Sequence, residues 1–324
     1  EALVYYQEMQ NEGVALNDLT YVSLLKACKN LRDLERGRDL HSVIAKEGFE
    51  NDLFVTSSLL DMYAKCGSLH DMYRIFNHMS MTDTTSWNML IAGNLHAGHD
   101  FAALSVFQVM EEKGIEKNEF TLSCALKACS QSISTIEVGR IIHNQVICSG
   151  LQFDVVTESS LVLMYAKFGN LQEAHQILKN MVFIDVIAWN GLISGYVYHD
   201  QSIEALQLME EMQKNGVSPN VVTFASILKA CTRMDSALYG RFMHDESVRC
   251  SFETNEVVIN SLIDMYANFG CLKEALDLFH RLHRPNLITW NAMINGCVQH
   301  DEGLIALELF ERMHIEGIYA DYVT

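Results

Sequence analysis

Ala174, Ile177, Leu178 and Met181 fall at the spacing that puts apolar side chains on one face of a helix. A preceding apolar stretch, Thr157 to Lys167, is closed by Gly169, so residues 155–185 predict a helical hairpin. Asn170 and Glu173 have capping-box spacing at the start of its second helix. The same form recurs along the chain. Residues 18–52 predict helices over 19–30 and 34–47, stopped by Gly48. Residues 53–83 predict a helix to about Lys65, then a Cys66-Gly67-Ser68 turn. Ser68 is placed to cap a second helix ending near Met79. Unit 84–118 turns at Gly98 and stops at Gly114, and unit 119–154 breaks at Gly150. Units 186–220, 221–255, 256–286 and 287–321 follow. Residues 1–17 read as the tail of another unit, through Ala2, Leu3, Tyr6, Met9, Gln10 and Gly13. Tyr322, Val323 and Thr324 open one more.

Three phrases keep this beat. Trp87-Asn88, Trp189-Asn190 and Trp290-Asn291 are separated by 102 and 101 residues. Lys-Ala-Cys recurs at Cys28, Cys129 and Cys231, and Met-Tyr-Ala at Tyr63, Tyr165 and Tyr266. A pair of helices cannot bury its own apolar face, so such units must stack on their neighbours. The expected fold is all-α: one α-solenoid superhelix of helix–turn–helix units over 1–324, of either hand.

Composition agrees. Hydrophobic residues make up 49% of the 324, enough for a core along the whole array. The only prolines, Pro219 and Pro285, fall where units end. No apolar run approaches the roughly 18 residues of a membrane span. The chain opens on Glu1 within an amphipathic pattern and starts and stops within units. It therefore offers no signal or transit peptide to read, and is expected to be a piece of something longer. Its nine cysteines form no C-x-x-C pair, and the three at one repeat position, Cys28, Cys129 and Cys231, are expected to be small buried packers in a reducing compartment.

Units of this length, with Gly-Val-Ser-Pro-Asn closing unit 186–220 and Val-Val-Thr-Phe opening unit 221–255, resemble pentatricopeptide repeats. The rotation of 35 or 36, 31 and 35 residues resembles the plant P-L-S subfamily. Units 84–118, 186–220 and 287–321 resemble P units. Units 18–52, 119–154 and 221–255 resemble L units, and 53–83, 155–185 and 256–286 resemble S units. The resemblance implies single-stranded RNA binding in a mitochondrion or chloroplast, one base per repeat, with first helices lining a concave face. The fifth residue of a unit then reads the base, supported by the unit's last residue. These pairs are Ser57/Asp83, Asn88/Asn118, Ser159/Asp185, Asn190/Asn220, Asn260/Asn286 and Asn291/Asp321. By the family's pattern Ser/Asp reads G, Asn/Asn reads C or U, and Asn/Asp reads U. The L units carry Val22/Asp52, Ser123/Asp154 and Ala225/Asn255 and stay unassigned. The implied ligand is 5′-NGYNGYNYU-3′.

An apolar second residue packs between bases in that family: Leu19, Phe54, Phe120, Val156, Ile187, Val222, Val257 and Ile288, with Thr85 departing. Lys65, Lys167 and Arg233 share the thirteenth position and are the candidate phosphate contacts. The tryptophans lie about 100° round the helix from the reading position and are expected to pack between repeats.

Net charge is −18, unusual for a nucleic-acid binder. Over the first fourteen residues of each unit, however, seven positive residues balance six negative ones. The acid therefore sits on second helices and turns, and any RNA affinity is expected to depend only shallowly on salt. His41, His143 and His244 share one address without converging metal partners. His244-Asp245-Glu246, His300-Asp301-Glu302 and His314-Ile315-Glu316 match half of a zinc deaminase motif, but P-C-x-x-C is missing. No cofactor or catalysis is expected of this chain. If it resembles the P-L-S subfamily in function, it directs C-to-U editing, with deamination by a further domain or partner. The rival reading is a protein- or peptide-binding scaffold of the tetratricopeptide kind, which suits the acidic balance. It lacks that family's 34-residue unit and Trp-x-x-Leu-Gly phrase.

Overall fold

The structure, a computed structural model, describes residues 6, 9, 12, 14, 16–79, 82–131, 135–149, 154–321 and 324. The features expected at Ala2, Leu3, Gln10, Gly13, Gly150, Tyr322 and Val323 lie outside them. Among the described residues there are helices and turns but no strand. The first helices are α1 (Asp18–Leu31), α3 (Leu53–Lys65), α5 (Thr84–His96), α7 (Glu119–Cys129), α9 (Val155–Lys167), α11 (Val186–Tyr198), α13 (Val221–Arg233), α15 (Glu256–Asn268) and α17 (Leu287–Gln299). Second helices alternate with them: α2 (Leu34–Lys46), α4 (Leu69–His78), α6 (Asp100–Glu112), α8 (Ile136–Ser149), α10 (Leu171–Asn180), α12 (Ser202–Lys214), α14 (Ala237–Arg249), α16 (Leu272–Arg281) and α18 (Gly303–Ile315).

Contacts divide the chain into two compact units, Glu1–Met164 and Tyr165–Thr324. In the first, α1, α3, α5 and α7 pack on one another in succession, and α2, α4 and α6 each pack on the helix before and the helix after. In the second, α11, α13, α15 and α17 pack on one another in succession, with α12, α14 and α16 against them in the same way. Each fully buried Leu, Ile or Phe in these layers stabilises by roughly 1.5–3 kcal/mol.

The recurring phrases are packing parts. In the first unit Met62 and Tyr63 are buried, and the bare Cα of Gly37 takes the Met62 thioether. A Cβ at Gly37 would lie 2.5 Å from Met62 Sδ. One turn on, His41 Nδ1 bonds Tyr63 OH at 2.9 Å. The second unit repeats this with Gly240 against Met265 and His244 Nδ1 to Tyr266 OH at 2.9 Å. The alanine of each phrase seats the glycine that follows Trp-Asn. Cβ atoms at Gly195 and Gly296 would lie 2.6 and 2.5 Å from Ala166 and Ala267 Cβ. Trp87, Trp189 and Trp290 are all buried, with Phe76 and Phe279 edge-on to the first and last.

Two expected caps are absent. Ser68 and Asn170 do precede α4 and α10, but neither side chain bonds a helix N–H. Ser68 Oγ donates to Asp71 Oδ2 at 2.8 Å, and Asn170 Nδ2 reaches Glu173 Oε1 at 3.5 Å. Their ψ angles of 77° and 60° are far from the extended ψ of first-helix caps such as Asn118, at 176°.

Candidate functional site

Every first helix begins one residue after an Asn or Asp, and that residue ends the unit before. Asn17, Asp52, Asp83, Asn118, Asp154, Asp185, Asn220, Asn255 and Asn286 each accept from a backbone N–H two or three residues on. The physics is that of an N-cap: a short acceptor side chain satisfies an orphan donor of the first turn. Sequence reasoning missed this second role, although Asn or Asp directly before a helical pattern is its signal.

The side-chain oxygen of the unit-ending residue also receives the fifth residue of its own unit. Asn88 Nδ2 donates to Asn118 Oδ1 at 3.1 Å, Asn190 to Asn220 at 3.0 Å, and Asn291 to Asp321 at 3.1 Å. A third member was not anticipated: the threonine at position 3 of the following unit. Thr121, Thr223, Thr289 and Thr324 donate from Oγ1 to Oδ1 of Asn88, Asn190, Asn260 and Asn291 at 2.7, 2.6, 2.7 and 2.6 Å. Thr289 also donates to Asn286 at 3.0 Å and so bridges the Asn260/Asn286 pair.

This triad fixes amide orientation. A backbone N–H can only donate, so the atom of Asn118 that it meets is oxygen, and the atom of Asn88 facing that oxygen is nitrogen. Asn88 keeps one N–H and one lone pair for a ligand. Asn118 and Asn220 add a second amide, whereas Asp321 adds a carboxylate acceptor.

No hydrogen bond joins Ser57 to Asp83: Ser86 N and Oγ take Asp83 Oδ1 at 2.9 and 2.7 Å. Burial pushes the Asp83 carboxyl up, but the Ser86 bonds outweigh it and hold it below the usual range. Asp185 accepts from Ala188 N at 2.9 Å.

Exposure separates the six candidate reading positions. Asn88, Ser159 and Asn190 are buried, with 5%, 3% and 7% of their surface exposed. Ser57, Asn260 and Asn291 are half-buried. The second residue of every unit is exposed: Leu19, Phe54, Phe120, Val156, Ile187, Val222, Val257, Ile288 and the polar Thr85. A side chain that is apolar at eight of nine repeats yet left to solvent is not there for the core.

In the second unit these positions line an open groove of about 790 Å³ across α13, α15 and α17. Val222, Val257 and Ile288 are on it, with Asn260, Asn291 and Asp321. So are Ser226, Ser261 and Ala292 at position 6, and Lys229, Asp264 and Asn295 at position 9. The sequence reading missed positions 6 and 9. They share a helix face with positions 2 and 5, so the helical period would have found them.

The phosphate candidates divide. Lys65 and Lys167 are exposed. Near Lys65, the His96 imidazole is held below its usual range, first by the Lys65 charge, then by burial, Arg32 and Lys127. Arg233 is a correction: its guanidinium bonds the Val197 carbonyl at the C-terminal end of α11 and pairs with Asp200 at 2.5 Å. A cation there meets the negative helix end, and Arg233 Nη1 is already engaged within the protein.

The histidines have structural partners. His41 and His244 bond tyrosines, and His300 Nε2 bonds the Asn268 carbonyl at 3.1 Å. His314 lies edge-on to Phe310. No group of three metal-binding side chains occurs among the described residues.

Comparison with known proteins fits this geometry. PPR repeat models match 54–81, 85–115, 159–186, 257–286 and 288–318. A PPR repeat family model matches 184–233, and a pentatricopeptide repeat domain model 5–42. Two pentatricopeptide repeat-containing proteins of Arabidopsis thaliana, one named chloroplastic and one mitochondrial, are 35% and 36% identical over 99% and 97% of this chain. They are covered over 52% and 45% of their own lengths, so the chain spans about half of such relatives. The pentatricopeptide repeat protein PPR10, solved with an 18-nt psaJ RNA element, superposes with a TM-score of 0.76 at 20% identity. The match covers 99% of this chain and 48% of that one, a likeness of fold.

Proposed function

The chain belongs to the pentatricopeptide repeat family, and from that premise we propose that it binds single-stranded RNA in sequence, one nucleotide per helical hairpin. The observation that carries the reading is the repeated triad of Asn, unit-ending Asn or Asp, and Thr beside an exposed apolar residue. The apolar residues at position 2 bracket a base, and the triad offers its Watson–Crick edge a fixed set of donors and acceptors. An Asn/Asn unit offers amide N–H groups to the acceptors of a pyrimidine. Asn291/Asp321 offers a carboxylate oxygen to the N3–H of uracil, which cytosine lacks.

Asn260 and Asn291 meet a ligand in the open groove. Asn88, Asn190 and Ser159 meet one only through a narrow exposed edge. The ligand is 5′-NGYNGYNYU-3′, with the L units unassigned. As a P-L-S protein the chain directs C-to-U editing of transcripts in a chloroplast or mitochondrion. It has no catalysis of its own, and deamination belongs to a further domain or a partner.

Gel shift with this oligomer, against one with its G and Y positions exchanged, tests the reading. Tighter binding of the first is expected. Equal binding, or none, contradicts it and favours a peptide-binding scaffold.

A further inference from the structure

Unit 221–255 carries Ala225 where the P and S units carry Asn or Ser, so its fifth residue has no polar group to offer a base. We propose that Lys229 of this unit, together with Asp264 of the next, reads the base here and selects guanine. The proposal rests on the RNA reading above and extends it to a unit that the family's pattern leaves open.

Ala225 and Lys229 are four residues apart on α13 and share a face. Helical side chains lean toward the N-terminal turn, which carries the Lys229 ammonium back toward Ala225. The alanine leaves that space clear. Both residues line the groove with Val222, Val257 and Asp264. Lys229 is exposed and has no salt-bridge partner among the described residues. Asp264 reaches open space in the groove, although protein atoms crowd it. Asn268 Nδ2 lies 3.3 Å from its Oδ1, and its Oδ2 is unclaimed. Crowding raises the carboxyl's pKa, and the Asn268 bond and the nearby Lys229 charge act against the rise.

Ammonium beside carboxylate complements one base edge. Guanine presents O6 next to two donors, N1–H and N2–H₂. Lys229 donates to O6, and Asp264 accepts from the two N–H groups. Adenine sets an amino group against the ammonium and a bare N1 against the carboxylate. Cytosine likewise sets its amino group against the ammonium, and uracil lacks the second donor. Val222 and Val257, the exposed second residues of successive units, bracket the base. Lysine stands at this ninth address in all three L units, as Lys26, Lys127 and Lys229, and in no other unit. Elsewhere the address holds Asp61, Ala92, Leu163, Ser194, Asp264 and Asn295.

The test uses the full chain and four RNAs that differ only at the seventh nucleotide of the nonamer, with dissociation constants measured at fixed salt. Guanine is expected to bind tightest, by roughly tenfold, the range of one paired base contact. Lys229→Met and Asp264→Asn should each bring the four within about twofold, while the ninth nucleotide is still discriminated by Asn291/Asp321. Uniform weakening of all four RNAs by Lys229→Met, with guanine still favoured, makes Lys229 a phosphate contact and overturns the proposal. So does equal binding by the unaltered chain at the seventh nucleotide while the ninth is discriminated. Loss of discrimination at both positions overturns the underlying RNA reading as well.

Discussion

The Asn291 amide donates to the Asp321 carboxylate at 3.1 Å, thirty residues away, and this one contact joins the start of a unit to its end. Asp321 Oδ1 also accepts from Thr324 N and Oγ1, at 3.1 and 3.0 Å. On the proposed reading, the oxygen that would face the base is thus already held by Thr324. A base-contacting group held in this way would be pre-positioned, so that little order has to be created when RNA arrives.

The threonine is the least obvious member of the triad and gives a sharp prediction. Thr223 is fully buried, donates to Asn190 and Asn220, and accepts from Asn220 N at 3.0 Å. Thr223→Val leaves buried polar groups without partners and should cost about 1–3 kcal/mol in urea denaturation. It should also weaken discrimination at the sixth nucleotide. Thr223→Ser, which keeps the hydroxyl, should cost less than half as much.

Two glycines on neighbouring helices should respond with opposite signs. A Cβ at Gly296 lies 2.5 Å from Ala267 Cβ and 3.1 Å from its Cα, whereas one at Gly303 meets nothing within 4 Å. Alanine in a helix gains about 0.8–1 kcal/mol over glycine, but overpacking costs about 1–3 kcal/mol. Gly296→Ala is therefore expected to destabilise and Gly303→Ala to stabilise slightly, as read from denaturation midpoints.

The buried imidazoles make stability depend on pH. Burial holds His41 and His244 below the usual imidazole range, so the fold takes up their protons less readily than the unfolded chain does. The unfolded chain takes up protons near pH 6.5, so their stabilisation is complete above that pH and is lost as pH falls through the lower folded values. The thermal midpoint should be flat from about pH 7 to 8 and should fall below about pH 6.5. A His41→Gln/His244→Gln chain should start lower and fall less. Equal falls would contradict the assignment.

The cations predict a split in salt dependence. Lys65→Met should weaken all RNAs alike and reduce the slope of log affinity on log salt by about 0.7, one phosphate on a single strand. Arg233→Met should leave the slope unchanged and lower stability instead, because its partners are Val197 and Asp200.

Much of the fold was legible because it is periodic. Helix starts at Asp18, Leu53, Thr84 and their successors coincide with the unit starts read from spacing alone. The Asn88–Asn118 pairing was legible as two addresses that recur together. What spacing does not carry is the third dimension. Thr121 meets Asn88 from the next unit, Arg233 is drawn to a helix end one unit back, and Ser68 is kept from capping by its ψ. The burial of Asn88, Ser159 and Asn190 likewise depends on neighbouring helices.

The most direct measurement concerns Asp321→Asn. An asparagine oxygen can accept from Thr324 and Asn291 as the carboxylate does, so this change alters the edge offered to the base while keeping those bonds. Affinities would be measured for nonamers ending in U or C, with the unaltered chain and the variant. The account predicts that the unaltered chain prefers U and that the variant moves toward C by roughly tenfold. An unchanged ratio of the two affinities would contradict it.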